Sequence, residues 1–147
     1  MAKADVAHCG HASHSKVRLM PRAVLDPGRI HPAISEAIAN SHADIVREVE
    51  AAVAAEDIVV VGMAMNPFPR RARKLLDAAG RTYRYLEYGN YLGGWRRRTA
   101  LKMWCGWPTL PMVFVKGVLV GGAQDLARLM RNGEFEKLLA APRSAKL

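Results

Sequence analysis

The sequence has no long hydrophobic segment and few cysteines. Its longest nearly unbroken apolar run, 58–65, has eight residues, too few to cross a bilayer. The N-terminus carries no apolar core of the kind that a secretory signal needs. Two cysteines, Cys9 and Cys105, are too few for a disulfide framework and fit a reducing compartment. We therefore expect a cytoplasmic protein with no membrane partner.

Acidic residues are scarce in the C-terminal two-thirds of the chain. The 147 residues hold 22 Lys and Arg against 13 Asp and Glu, a formal net charge of +9. Residues 1–57 have six basic and eight acidic side chains, whereas residues 58–147 have sixteen basic and five acidic ones, net +11. The second part is expected to attract anions. A nucleic-acid partner is not excluded by this charge, but it is disfavoured because no nucleic-acid motif and no aromatic interleaving accompany the basic residues.

Residues 1–25 show no sustained hydrophobic period, which predicts a polar, flexible tail. Within it, His8, His11 and His14 recur every third residue beside Cys9, a set of side chains able to bind zinc, copper or nickel. Ligand spacing in a tail does not by itself build a closed site. We therefore predict no metal site.

The remaining sequence, in which half of the residues are apolar, alternates between helical and strand periodicity. It predicts a helical extension over 26–43, one domain over 44–140 and a short tail over 141–147. The predicted order is α-β-α-β-α-β-β-α-α, which favours a four-stranded mixed sheet with helices on both faces. The predicted elements are helical residues 33–53, as one helix or as two broken near Asn40-Ser41, a strand at 58–61, a helix at 69–79, a strand at 82–87, a helix at 92–104, a hairpin of 112–115 and 118–120 turning at Lys116-Gly117, and helices at 124–130 and 134–139.

One stretch resembles a known family. Trp107-Pro108-Thr109-Leu110-Pro111, followed by a hairpin that ends in Gly121-Gly122, is similar to the glutaredoxins, above all to their monothiol branch. Arg98, Leu101 and Lys102 extend the match upstream, and the resemblance covers about residues 44–140. It implies a thioredoxin-like fold and a glutathione-linked redox ancestry.

The resemblance also implies a binding groove. In thioredoxin folds the proline at the position of Pro111 is cis and turns the preceding backbone outward, where it pairs with glutathione or an extended peptide. After the two glycines the family has Cys-Asp or Leu-Asp, whereas this chain has Ala123-Gln124 before Asp125. Trp104 and Trp107 are expected to pack in the core. The implied glutathione- or peptide-binding residues are Thr109, Leu110, Pro111, Gly121, Gly122, Arg98, Gln124 and Asp125.

The chain departs from the family at the residues that carry out the family's redox chemistry. Where glutaredoxins carry a Cys motif at a helix start, this chain has Asn66-Pro67-Phe68-Pro69, with Asn66 at the nucleophile position and Pro69 at the second motif position. An amide cannot attack a disulfide and is a poor ligand for an iron–sulfur cluster. The lysine that many glutaredoxins place before the cysteine falls near Met63. We therefore predict no catalytic residue, no iron–sulfur cluster and weakened glutathione binding.

Two alternatives to a lost activity stay open at the level of the sequence. Cys105 is expected to be a small buried apolar group, and Cys9 has only histidines beside it, yet either could carry a residual redox role. Arg70 and Arg71, near the start of the helix after Asn66, are candidates for an anion site.

The sequence thus predicts a glutaredoxin-like protein of glutathione-linked thiol–disulfide redox homeostasis, a family of electron-transfer and protein-disulfide reductase proteins, with weak or no activity of its own. Its partners would be glutathione or a thiol protein. The alternative is a non-catalytic module that binds glutathione, a peptide or an anion through a basic surface.

Overall fold

A computed structural model describes residues 21–143 of the chain, in which helices flank four strands. The elements are a short 3-10 helix Pro27–Arg29, α1 Pro32–Asn40, α2 Ala43–Ala55, β1 Ile58–Gly62, α3 Pro67–Ala78, β2 Arg84–Glu87, α4 Trp95–Cys105, β3 Met112–Val115, β4 Val118–Gly121, α5 Ala123–Arg131 and α6 Glu134–Ala140. None of the helices in this described part combines the length and the apolar character needed to cross a membrane.

The four strands form one mixed sheet in the order β2-β1-β3-β4. β1 pairs parallel with β2, antiparallel with β3, and β3 pairs antiparallel with β4. The parallel pair is joined through α3, as a crossover connection requires. This architecture confirms the predicted thioredoxin-like fold.

Both faces of β1 are buried, so its side chains contribute to two separate cores. Val59 and Val61 face α2 and α4 and pack with Ile45 and Leu101. Ile58 and Val60 point to the opposite face and pack against α3, α5 and α6. The β-branched run that predicted a buried strand is explained by this double burial.

The hairpin between β3 and β4 forms where the sequence predicts it. Lys116 and Gly117 both have positive φ, 51° and 82°, the combination that a two-residue type I′ turn needs. The turn places β4 at the edge of the sheet and directs its C-terminal end back toward the start of β3.

The structure differs from the prediction at the starts of β2 and α4, and it decides whether residues 33–53 form one helix or two. β2 begins at Arg84 rather than at the predicted Thr82. Its pairing with β1 starts at the pair Val59–Arg84, so Thr82 lies outside the ladder. α4 begins at Trp95 rather than at residue 92, since Gly94 adopts a left-handed φ of 80°. Helical residues 33–53 are two helices, which separate where His42 adopts a left-handed φ of 48°.

Residues 1–20 and 144–147 lie outside the described part of the chain. The tail assigned to 1–25 and the cluster of His8, His11, His14 and Cys9 therefore fall wholly or mainly outside it. The domain limits at residues 25, 43 and 140 stay predictions.

Candidate functional site

The sheet topology brings three chain segments to one edge. β1 and β3 are antiparallel with Val61 opposite Met112, so the loop after β1 meets the residues that precede β3. β3 and β4 are also antiparallel with Val113 opposite Gly121, so the end of β4 reaches the same edge. The predicted nucleophile position, the predicted cis-proline and the double glycine are thereby assembled from distant parts of the sequence.

Asn66 begins α3 as its N-cap. Its side-chain Oδ1 accepts a hydrogen bond from the Phe68 N–H at 3.0 Å, and Pro67 occupies the first helical position. Both features are favoured by the residue types, because an asparagine oxygen satisfies a free amide and proline has no amide to satisfy. Pro69 is buried against the end of β1. It packs so closely on Gly62 that a Cβ added to Gly62 would lie 2.7 Å from the Pro69 Cβ. The second motif position therefore contributes packing and no exposed group.

The Leu110-Pro111 peptide bond is cis, as the family resemblance implies. It borders an open cleft of about 480 Å³ between α3, α4 and the start of α5. The cleft is lined by Met63, Asn66, Phe68, Tyr91, Lys102, Trp107, Pro108, Thr109, Leu110, Pro111, Gly122, Ala123, Gln124 and Asp125.

Most of the residues that the resemblance implied lie on this cleft, but Gly121 and Arg98 do not. Gly121 has a positive φ of 104°, and a Cβ added to it would lie 2.7 Å from Asp125 Oδ2. Its role is to admit the Asp125 carboxylate, which accepts the Gly122 N–H at 3.0 Å and caps α5. The glycine thus shapes the cleft without lining it.

Arg98 is buried beneath the loop 88–94. Its Nη1 donates hydrogen bonds to the carbonyl oxygens of Tyr88 at 3.1 Å and Gly93 at 2.8 Å. The guanidinium therefore holds the loop that carries Tyr91, a cleft residue, and its exposed fraction is 7%. Its contribution to the cleft is indirect.

The charged groups of the cleft are Lys102 on α4 and Asp125 on α5. Lys102 was identified only as part of the family match, because its helical position alone does not show which way it faces. Trp107 packs against the core as expected, but it is only half-buried and also lines the cleft. Trp104 is 37% exposed and contacts Phe114 with ring centroids 6.0 Å apart, so the expectation that it packs in the core is wrong. The lining residues that the sequence did not single out as ligand contacts are Met63, Phe68, Tyr91, Lys102, Trp107, Pro108 and Ala123.

Cys105 is the one cysteine of the described residues, and its side chain is turned into the interior. Its Sγ accepts the Trp107 N–H at 3.4 Å and lies 3.6 Å from Met112 Sδ. Burial raises the pKa of the Cys105 thiol above its ordinary value. A neutral, half-buried thiol is a weak nucleophile, and this one does not line the cleft.

Arg70 and Arg71 lie at the end of the first turn of α3 and are exposed. Neither lines the cleft, and neither is within salt-bridge distance of a carboxylate among residues 21–143. They stand beside the candidate site as unpaired cations.

Comparison with known proteins finds related sequences and a similar solved structure. It is 43% identical over 100 residues to a glutaredoxin-like protein of Dictyostelium discoideum, covering 68% of this chain and 81% of the relative. It is 33% identical over 72 residues to a protein of Legionella pneumophila described as a probable monothiol glutaredoxin, covering 49% of this chain and 78% of that one. A crystal structure of a buckwheat glutaredoxin–glutathione complex superposes with a TM-score of 0.61 at 25% identity, covering 68% of this chain and 91% of the other. No family model matches the chain.

Proposed function

Because the chain belongs to the glutaredoxin family, we propose that it works in glutathione-linked thiol–disulfide homeostasis as a protein that binds glutathione without reducing disulfides efficiently. The observation that carries this proposal is the amide of Asn66 at the N-terminus of α3, where the family motif has its cysteine. We further propose that it does so in the cytoplasm, in line with its two cysteines.

The expected loss of disulfide reduction follows from the amide that stands in place of the cysteine thiol. A thiolate attacks one sulfur of a disulfide and displaces the other, a step that an amide oxygen or nitrogen cannot perform. Cys105 is turned away from the cleft and is held neutral by burial, so it does not supply a substitute. The same absence of a thiolate at the helix start supports the prediction that no iron–sulfur cluster is held there.

The cleft nevertheless keeps groups that suit glutathione. This tripeptide carries two carboxylates and one ammonium, which call for a cation and an anion some distance apart. Lys102 and Asp125 provide one of each on opposite helices, and Thr109 and Leu110 line the cleft directly before the cis-proline. Binding without covalent capture is therefore the function that this geometry supports best.

Titration with reduced glutathione tests this proposal. We expect saturable NMR shifts in residues 63–71 and 107–125 together with Tyr91 and Lys102. Replacing Lys102 by alanine should weaken binding about fivefold, the effect of removing one exposed ion pair of about 1 kcal/mol. Lys74→Ala removes an exposed lysine outside the cleft and is the matched control.

The catalytic half of the proposal has its own assay. Glutathione-dependent reduction of a small mixed disulfide is expected to proceed at the rate of the blank without protein. Turnover well above the blank that disappears in Cys105→Ala would contradict it, because a nucleophile would then exist at another place in the chain.

A second candidate function, an anion site, is favoured by Arg70 and Arg71. Two unpaired cations near a helix N-terminus oppose the helix dipole, so a bound anion would relieve an unfavourable arrangement. Pro67 and Pro69 remove two amide donors from the first turn, which leaves the guanidinium groups as the main ligands. The site would hold a carboxylate or phosphate of a ligand or partner.

Salt dependence tests the anion site. Binding of glutathione and of a short RNA should weaken in Arg70→Ala/Arg71→Ala at low salt. The difference from the parent protein should fade near 0.1 M salt, where screening acts over about 10 Å. Arg84→Ala/Arg131→Ala removes the same charge from exposed positions on β2 and α5 and should change neither affinity as strongly. Equal binding in the two double variants would show that Arg70 and Arg71 are only a solvated helix face.

A further inference from the structure

A second cavity, of about 720 Å³, lies between α1, α2 and α4 and shares no residue with the cleft. We call it the helical groove. Its floor and walls are apolar, formed chiefly by Ile34, Ile38, Val46, Trp95, Met103 and Trp104.

The apolar side chains of this groove are left in contact with water. Ile34 is 52% exposed, Trp95 61% and Met103 67%. Contiguous exposed apolar surface of this kind marks interaction sites on soluble proteins. It also leaves α1 poorly supported, since the nine-residue helix buries none of its residues and isolated helices of that length are marginal.

The charge at the rim of the groove has one sign. Arg47 and Arg96 are the charged residues of the lining, joined by His42, and no carboxylate is among them. The Arg96 guanidinium lies over the Trp95 ring, with Cζ 5.1 Å from its centroid. Within residues 21–143, neither arginine is paired with a carboxylate. An occupant of the groove would therefore meet two uncompensated cations and would favour acidic groups beside its apolar face.

The walls determine the form of the occupant. An extended peptide binds through main-chain hydrogen bonds, but the walls are helices whose backbone groups are used internally. A helical ligand satisfies its own backbone and needs only an apolar face. Trp95, Thr99 and Met103 follow each other at four-residue spacing and form a ridge about 12 Å long on α4, against which two turns of such a helix can pack.

The same charges disfavour occupants from this chain. A second copy would set the Arg47 and Arg96 rims against each other in a protein of net charge +9. Residues 1–20 hold three basic side chains and one acidic one, so this segment carries the wrong charge as well.

We propose that the helical groove binds an acidic amphipathic helix of a partner protein, at a surface separate from the glutathione cleft. The partner would place leucine-like side chains between α1 and α4 and carboxylates beside Arg47 and Arg96.

A pair of synthetic peptides provides the test. Both have about 18 residues with leucines at three- and four-residue spacing; one has glutamates on its polar face and the other has lysines at the same positions. Binding to the full chain is followed by anisotropy of a labelled peptide at physiological salt. We expect the glutamate peptide to bind at least tenfold more tightly and to slow amide exchange in residues 32–40.

Variants of the groove should change this result in two ways. Met103→Glu is expected to abolish binding of the glutamate peptide, while Leu92→Glu, at a still more exposed apolar position outside the groove, should leave it intact. Arg47→Glu/Arg96→Glu should reverse the preference in favour of the lysine peptide. Arg131→Glu should have no such effect. Glutathione affinity should be the same in Met103→Glu, in Arg47→Glu/Arg96→Glu and in Arg131→Glu, which separates this surface from the cleft.

Four outcomes would overturn the proposal. Equal binding of the two peptides would remove the charge argument. Concentration-dependent dimers that Met103→Glu dissociates would identify a second copy as the occupant. Binding to anionic vesicles that Met103→Glu abolishes would point to a membrane. The fourth outcome concerns the chain's own N-terminal segment. If the added peptide shifts the Val17 and Leu19 resonances, and if the peptide binds more tightly once these two residues are out of the groove, the groove belongs to that segment.

Discussion

Asn66→Cys is expected to create a reactive thiol and to raise glutathione-dependent disulfide reduction at least about tenfold above the parent protein. The position is the N-cap of α3, where the Phe68 N–H now bonds the asparagine oxygen at 3.0 Å and would bond a thiolate instead. Pro67 and Pro69 leave only two amide donors in the first turn, so we expect the helix start to lower the thiol pKa, but less than a helix with a full set of donors would.

Asn66→Ser is the matched control, because serine caps a helix as well as asparagine does and brings no thiol. The rate of alkylation by iodoacetamide against pH gives the pKa of the new thiol, with the unmodified chain correcting for Cys9 and Cys105. An Asn66→Cys protein with no additional reactive thiol would contradict the assignment of Asn66 to the nucleophile position.

The elements that sequence predicts best are those specified by adjacent residues. Asn66-Pro67 combines a capping side chain with a residue suited to the first helical position, so the start of α3 follows from two neighbours. Lys116-Gly117 lies between two β-branched runs and likewise determines its turn locally. The turn forms where it is predicted, while α3 begins at Pro67, two residues before its predicted start at 69, because Asn66 caps it there. Neither feature needs a distant contact to specify it.

The parts that escape prediction depend on contacts across the fold. Arg98 matches the family pattern, but its burial depends on the path of loop 88–94, which Gly89 and Gly94 allow by adopting positive φ. Lys102 faces the cleft only because α4 packs on β3 at a particular rotation. Local periodicity predicts that α4 is a helix and carries no information about either outcome.

Arg97 and Arg98 are neighbours in the sequence but lie in different surroundings, so replacing each by methionine should lower the stability by very different amounts. Arg98 is 7% exposed and satisfies the carbonyl oxygens of Tyr88 and Gly93. Arg98→Met keeps the apolar stem but removes both hydrogen bonds. The Tyr88 carbonyl then loses its donor, while the Gly93 carbonyl keeps the Asn90 N–H at 3.1 Å. Hydrogen bonds to a charged group contribute about 1.5–3 kcal/mol each, so the loss of two is expected to lower the free energy of unfolding by about 3 to 6 kcal/mol. Arg97→Met removes an exposed bond to Asp44 and should cost at most about 1 kcal/mol.

Urea denaturation combined with glutathione titration decides what Arg98 contributes to the cleft. If it acts by holding loop 88–94, Arg98→Met lowers stability and weakens glutathione binding together, because Tyr91 on that loop lines the cleft. Arg98→Lys, which can still donate to one carbonyl, should recover part of both. Unchanged stability with abolished binding would instead assign Arg98 a direct contact with the ligand, as the family resemblance implies. The buried position of its guanidinium favours the first result, since a group that already donates to two loop carbonyls has little remaining capacity to bind a carboxylate in the cleft.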